Sequence, residues 1–264
     1  MLEFLFDLPL LITGPAIVGS LCLFAVVGLL VVRRLVLPRL RIHALDSEFT
    51  GAMLQAVMVF YGLAVALIAV SVWQSYSDAS RLVSQEAAAI GALYRDVSLY
   101  PEPLRSELQK TARAYLDHLI HEAWPVQRQG KVPGVKAETV NRLLRSLATF
   151  EPATEGQRLL HGEALRAFNA AILATRLRVD AGRTALPGIL WVVIVAGAVI
   201  SLSAAFFFKV EDVRLHGILV TLLATFVGLV IFMIFALDRP FRGDLGLGSE
   251  PHQLIYEQLM KANP

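Results

Sequence analysis

The chain has 264 residues, of which 56% are hydrophobic and 17% charged, with a formal net charge of +2. Soluble domains carry about a quarter charged residues, so the excess of apolar runs points to lipid as the solvent. The small net charge argues against a nucleic-acid partner. The single cysteine, Cys22, excludes a disulfide framework and any zinc site built on several thiolates.

The N-terminal tail has no lysine or arginine, which with the length of the first apolar run argues against a signal peptide. That run covers residues 10–32, and three more follow at 51–73, 189–208 and 217–237. Roughly 20 helical residues cross a hydrocarbon core of about 30 Å, so all four are long enough to span. The expected fold is all-α: two transmembrane hairpins with a helical bundle inserted between them. Its expected parts are a first hairpin at 1–73, an extramembrane helical domain at 74–186, a second hairpin at 187–237 and a C-terminal tail at 238–264.

The link after the first span carries Arg33, Arg34, Arg39 and Arg41, and the link before the fourth carries Lys209 and Arg214. The positive-inside rule puts both links in the cytoplasm, and so the N-terminus and the 74–186 domain outside it. Trp73 closes span two and Trp191 opens span three, as an aromatic belt at one interface would have them.

Within the insert, Val83, Ala87, Ile90 and Tyr94 carry the helical pattern of span two onward until Pro101 and Pro103. Leu104, Leu108, Tyr115 and Leu119 mark a second helix. Gln129–Gly134 reads as a loop by its breakers. Val140, Leu143, Leu144 and Leu147 predict a short helix. Thr154-Glu155-Gly156-Gln157 has the form of a capping box that starts a long helix through Phe168 and Val179, expected to feed span three.

The chemistry-bearing candidates are few. His118, His121 and Glu122 lie close on one helix and form a weak metal candidate, which His161 and Glu163 would complete if their helices pack together. The alternative is an ordinary solvated face. No phosphate loop, nucleophile elbow or paired-carboxylate pattern is present, so no catalytic residue is assigned, an enzyme is disfavoured and no cofactor is expected.

Small and polar residues form stripes within the spans. Gly51, Gln55, Gly62, Ala66 and Ala69 share a face of span two, Gly197, Ser201 and Ala204 one of span three, and Thr221, Thr225 and Gly228 one of span four. Close helix packing accounts for such stripes, and so does self-association into a homo-oligomer. A polar path for ions is the functional alternative, with Gln55, Ser201, Thr221 and Thr225 as its lining.

Span four ends in Ala236-Leu237-Asp238-Arg239-Pro240-Phe241-Arg242-Gly243-Asp244. Proline disfavours a helical residue before it, so the helix should stop near Asp238. Arg239 is expected at the headgroups, Asp238 paired with it or with Arg183, and Phe241 as an interfacial anchor. A charged ring at a pore mouth is the sharper reading. Together with Trp73–Ala79, Glu86–Ala89, Leu93–Asp96, Leu186–Trp191 and Phe207–Glu211, the motif Asp238, Arg239, Pro240, Phe241 and Gly243 resembles the bacterial bestrophin-like membrane family. The resemblance implies a multi-pass protein of the bacterial inner membrane, related in name to pentameric anion channels. Lipid, ions and further copies of the chain would be its partners. It also implies cytoplasmic inter-hairpin helices, opposite to the orientation the basic links give.

Overall fold

A computed structural model describes residues 9–39, 46–134, 137–208, 212–243 and 245–261. The tail 1–8, Arg41, Lys209, Val210, Glu211 and Asp244 lie outside the described residues. Among the described residues all regular structure is helical, and four helices are long and apolar enough to cross a membrane. The chain divides into two compact units, Met1–Gln74 with Ala185–Asp238, and Ser75–Thr184 with Arg239–Pro264.

The first unit holds α1 (Leu10–Val31), the first half of α2 (Asp46–Val97), α7 (Gly188–Ala205) and α8 (Val213–Leu237). α1 continues into a π-helical turn, Val32–Val36, that carries Arg33 and Arg34. At 52 residues α2 far exceeds a bilayer span, and its apolar run gives out near Trp73. Two apolar layers hold this unit together. One gathers Ala25, Leu29, Leu202, Phe206, Val220 and Ala224. The other gathers Val65, Val72, Ile194, Ala198, Ile231 and Ile234.

Small residues set the helix approaches within this unit. A Cβ on Gly228 would come within 3.0 Å of the Val18 backbone, so α1 and α8 meet where neither can yield. Gly197 lies under the ring of Tyr61, whose hydroxyl donates to Ile194 O at 2.9 Å. Gly62 has open space around it. The Asp212 carboxylate caps α8 by accepting from Arg214 N at 2.8 Å and Leu215 N at 3.3 Å. Buried His216 ties the same end to α7, its Nε2 lying 3.1 Å from Ala205 O.

In the second unit α2 runs on to Val97, followed by α3 (Leu104–His118), a π-helical turn (Leu119–Ala123), α4 (Trp124–Arg128), α5 (Ala137–Ala148) and α6 (Glu155–Ala181). Thr154 caps α6 as expected, accepting from Gln157 N at 3.2 Å. The Gln157 side chain reaches back one residue further than in a standard box, to Ala153 N at 2.8 Å. α6 does not feed α7 directly: it ends at Ala181, and α7 starts after Pro187.

The tail is part of this unit. It forms α9 (Glu250–Ile255), and Phe241, Leu247, Ile255 and Tyr256 join a core with Val83, Ile90, Leu116 and Trp124. A second core gathers Leu93, Val97, Tyr100, Leu108, Leu147 and Phe168.

Candidate functional site

The four span residues expected to line a polar path have different surroundings. Gln55 is exposed on α2. Ser201 on α7 is buried, and its hydroxyl has no hydrogen-bond partner. Thr221 donates to Gly217 O at 2.7 Å and Thr225 to Thr221 O at 2.8 Å. Cys22 Sγ on α1 lies 3.3 Å from Thr225 Oγ1. Both hydroxyls thus donate within α8, and that of Thr225 also meets α1 through Cys22. A threonine in an apolar helix meets its hydroxyl's needs most cheaply by bonding the preceding turn's carbonyl.

α8 stops where its proline requires, with Asp238 as its C-cap. The Asp238 side chain is only 7% exposed. Its Oδ1 accepts from Leu186 N at 2.6 Å and its Oδ2 from the Trp191 indole N–H at 3.3 Å. The carboxylate thus ties the end of α8 to the start of α7, where the helix dipole also favours negative charge. Trp191 stacks edge-on to Phe235 beside it, with centroids 6.3 Å apart.

The rest of the motif turns the chain back on itself. Pro240 O accepts from Leu247 N at 2.7 Å, and Gly243 takes a φ of 74°, a conformation open chiefly to glycine. Phe241 is not an interfacial anchor. It is 3% exposed and packs edge-on to Trp124, 6.1 Å between centroids, because burying an aromatic ring in an apolar core outweighs leaving it at a surface.

That core encloses a charged cluster absent from the sequence-based expectations. Glu86 on α2, Arg178 on α6 and His252 on α9 are each at most 1% exposed, and Gln127 on α4 is 4% exposed. Arg178 Nε donates to Glu86 Oε2 and its Nη1 to Gln127 Oε1. His252 Nε2 lies 2.9 Å from the same Glu86 oxygen. The guanidinium carbon sits 4.8 Å from the Trp124 ring centroid, a cation–π contact, and Trp124 Nε1 donates to Leu247 O at 3.0 Å. Glu86 lies beyond the apolar part of α2. Burial pushes its carboxyl upward, but the His252 hydrogen bond and the Arg178 charge outweigh this and hold it below the ordinary carboxylate range.

The signal for this cluster is present in the chain. Glu86 interrupts the apolar stripe Ala79, Val83, Ile90, and Arg178 continues the stripe Phe168, Ala171, Thr175. A charge at a core position of an amphipathic helix must find a partner, and each of these two is the other's.

The histidine candidates are not brought together as a metal centre. His118 Nδ1 lies 3.0 Å from Glu122 Oε2 and His121 Nδ1 lies 3.1 Å from Asp117 Oδ1, both along one helical stretch. His161 meets the Tyr100 hydroxyl at 2.7 Å, and Glu163 pairs with Arg166. Among the described residues no three His, Cys, Asp or Glu side chains are grouped as a metal ion would require.

Comparison with known proteins gives one family. The Bestrophin-like domain model matches residues 19–252, a stretch that begins within α1, takes in the other three spans and ends on His252. No curated protein and no solved structure matches the chain.

Proposed function

The chain belongs to the bestrophin-like family, and on that premise we propose that this multi-pass membrane protein is a homo-oligomeric ion channel of the bacterial inner membrane. Gln55 is the observation that supports the reading most directly. Its amide is exposed in the apolar part of α2, where lipid offers no hydrogen bond and the group costs several kcal/mol if it finds no partner, roughly 2–7 by transfer scales. A second copy or a water-filled path supplies that partner. Flux of anions and cations into protein-bearing vesicles tests the proposal. Flux above that of protein-free vesicles is expected, lowered several-fold by Gln55→Leu in a protein that still elutes as an oligomer. A monomer in nanodiscs, or no flux of either sign, would overturn it.

A second reading, a non-conducting scaffold whose extramembrane helices bind a partner, is supported by Leu159, Leu173 and Leu177. These leucines are exposed along one side of α6 at spacings of 14 and 4 residues. Absent flux with a stable oligomer would favour it.

The orientation we propose puts residues 74–186 outside the cytoplasm, on the charge of the first link. Impermeant thiol reagents should label a cysteine at Gly134 from outside, in a Cys22→Ser background, and not one at His43. Gly134 suits the probe because nothing crowds its Cβ, whereas Gly130 has a φ of 75° and the Arg242 side chain against it. The reverse labelling pattern would give the bestrophin orientation.

A further inference from the structure

Three stretches of the second unit meet around the turn that follows α8: residues 126–131 at the end of α4, 180–184 at the end of α6, and 239–243. A Cβ on Gly130 would lie 3.1 Å from the Arg242 side chain, and one on Gly182 would lie 2.7 Å from Gln127 Nε2 and 3.6 Å from the Phe241 ring. Arg128 Nη2 donates to Gly243 O at 3.4 Å. Five cations are gathered by these contacts: Arg128, Lys131 and Arg183, all exposed, with Arg239 and Arg242 half-buried in the turn. Asp180 is the one acid within the three stretches. Of the flanking acids, Asp238 is buried and accepts from Leu186 N, and Asp244 lies outside the described residues.

The exposed three differ from five other arginines of this unit. Arg81, Arg105, Arg142, Arg158 and Arg166 each pair with an acid three or four residues earlier on the chain. Arg128 instead gives its bond to a backbone carbonyl, and Lys131 Nζ donates to the Gln129 amide oxygen at 3.3 Å. The ends of α4 and α6 supply about half a negative charge each, less than the three cations beside them bring. Like charges brought together by backbone packing and left facing water draw an anion from outside.

We propose that this cluster binds the phosphate of an anionic phospholipid headgroup at the membrane surface, a role beyond ion conduction. Chain connectivity sets the level. Arg239 is bonded to Asp238, the C-cap of α8, and Arg183 stands five residues before Gly188, where α7 starts. Five residues reach at most about 18 Å, so neither stretch can lie far from the end of a span. The exit path is shorter still, because the chain turns back there and Leu247 N bonds Pro240 O. Arginine forks match two phosphate oxygens at once, and lysine adds a compact charge. Groups of four or more cations beside a span are the electrostatic footprint of anionic lipid. A zwitterionic headgroup brings its own ammonium to the same place and gains less.

The test places the full chain in nanodiscs of equal parts phosphatidylglycerol and phosphatidylcholine, with benzoylphenylalanine in place of Val132, an exposed apolar residue beside Lys131. Both leaflets hold the same mixture, so the orientation of the chain does not enter. Lipid cross-linked at this position is identified by mass spectrometry. Phosphatidylglycerol should exceed phosphatidylcholine roughly ten-fold or more, and Lys131→Gln with Arg183→Gln should remove most of that preference, at about five-fold per cation. Lys131→Arg with Arg183→Lys keeps the charge and should keep the preference, which separates charge from folding. Arg33→Gln with Arg34→Gln, in the link after α1, should leave it unchanged. The preference should shrink in 1 M salt, where the Debye length is about 3 Å. Equal cross-linking of the two lipids, or a preference that survives Lys131→Gln with Arg183→Gln, would overturn the proposal. So would loss of the preference with Arg33→Gln and Arg34→Gln. Displacement of the lipid by soluble glycerol 1-phosphate would also overturn it, since the ligand would then be a free phosphate compound. None of these readouts involves ion flux, so failure of the lipid site and failure of the channel reading are separate results.

Discussion

Replacing Glu86 with alanine is expected to cost on the order of 3–5 kcal/mol of stability, because it strands the Arg178 guanidinium in a core with no counter-charge. Arg178→Met should cost less, because Glu86 keeps His252 as a partner. The double variant Glu86→Leu, Arg178→Met should recover part of the loss, the rest remaining because His252 and Gln127 lose their partners in the same core. A buried ion pair gains little over an apolar pair of similar volume, whereas half of one is a large penalty. Thermal unfolding of wild type, Glu86→Leu, Arg178→Met and the double variant in one detergent gives the coupling energy directly. Losses that simply add in the double variant would show that the two side chains do not act as a pair.

The same cluster sets the acid sensitivity of the second unit. The Glu86 carboxyl is held below its ordinary value of 4.5, so its stabilising contribution is fully present above that value. It declines as pH falls through the lowered folded-state value, because the unfolded chain then binds the proton more readily. Unfolding midpoints should therefore drop on the acid side in wild type and less steeply in the Glu86→Leu, Arg178→Met protein. Tail attachment follows with it. His252 and Trp124 join α9 and Leu247 to the cluster, so disrupting Glu86 should also raise protease cleavage between Gly243 and Ser249.

How much of this was legible in the chain depends on the kind of signal. The spans are legible because crossing a bilayer demands an unbroken apolar run, and no tertiary contact changes that demand. The end of α8 is legible for the same local reason, since Pro240 removes a donor and blocks the preceding turn. Partners are another matter. The Asp238 carboxylate accepts from Leu186 N and the Trp191 indole, contacts 52 and 47 residues away. Glu86 and Arg178 stand 92 residues apart. Each occupies a core position of its own helix, and only the fold says that the two stripes meet. Thr221 and Thr225 are a different case. Their hydroxyls suggest a polar path, and only the fold shows that each one's proton goes to the preceding turn of α8.

Asp238→Ala is expected to lower stability by about 2–3 kcal/mol, since two N–H donors at the α7 entrance lose a charged acceptor. The stronger of the two bonds, at 2.6 Å to Leu186 N, should account for most of the loss. Trp191→Phe, which removes only the 3.3 Å bond while keeping a ring against Phe235, should cost clearly less. Asp238→Asn should fall between them, because an amide oxygen serves one donor and its NH₂ group meets the other donor head-on. The alternative role for this residue is a charged ring at a pore mouth, where neutralising it would shift anion-to-cation selectivity and the shift would shrink with rising salt. A carboxylate that is 7% exposed and engaged by two donors is poorly placed to act on passing ions. Reversal potentials across a salt gradient should therefore match wild type in Asp238→Asn, while its unfolding temperature falls. A selectivity shift with an unchanged unfolding temperature would reverse the assignment, making Asp238 a pore residue and its contacts to α7 incidental.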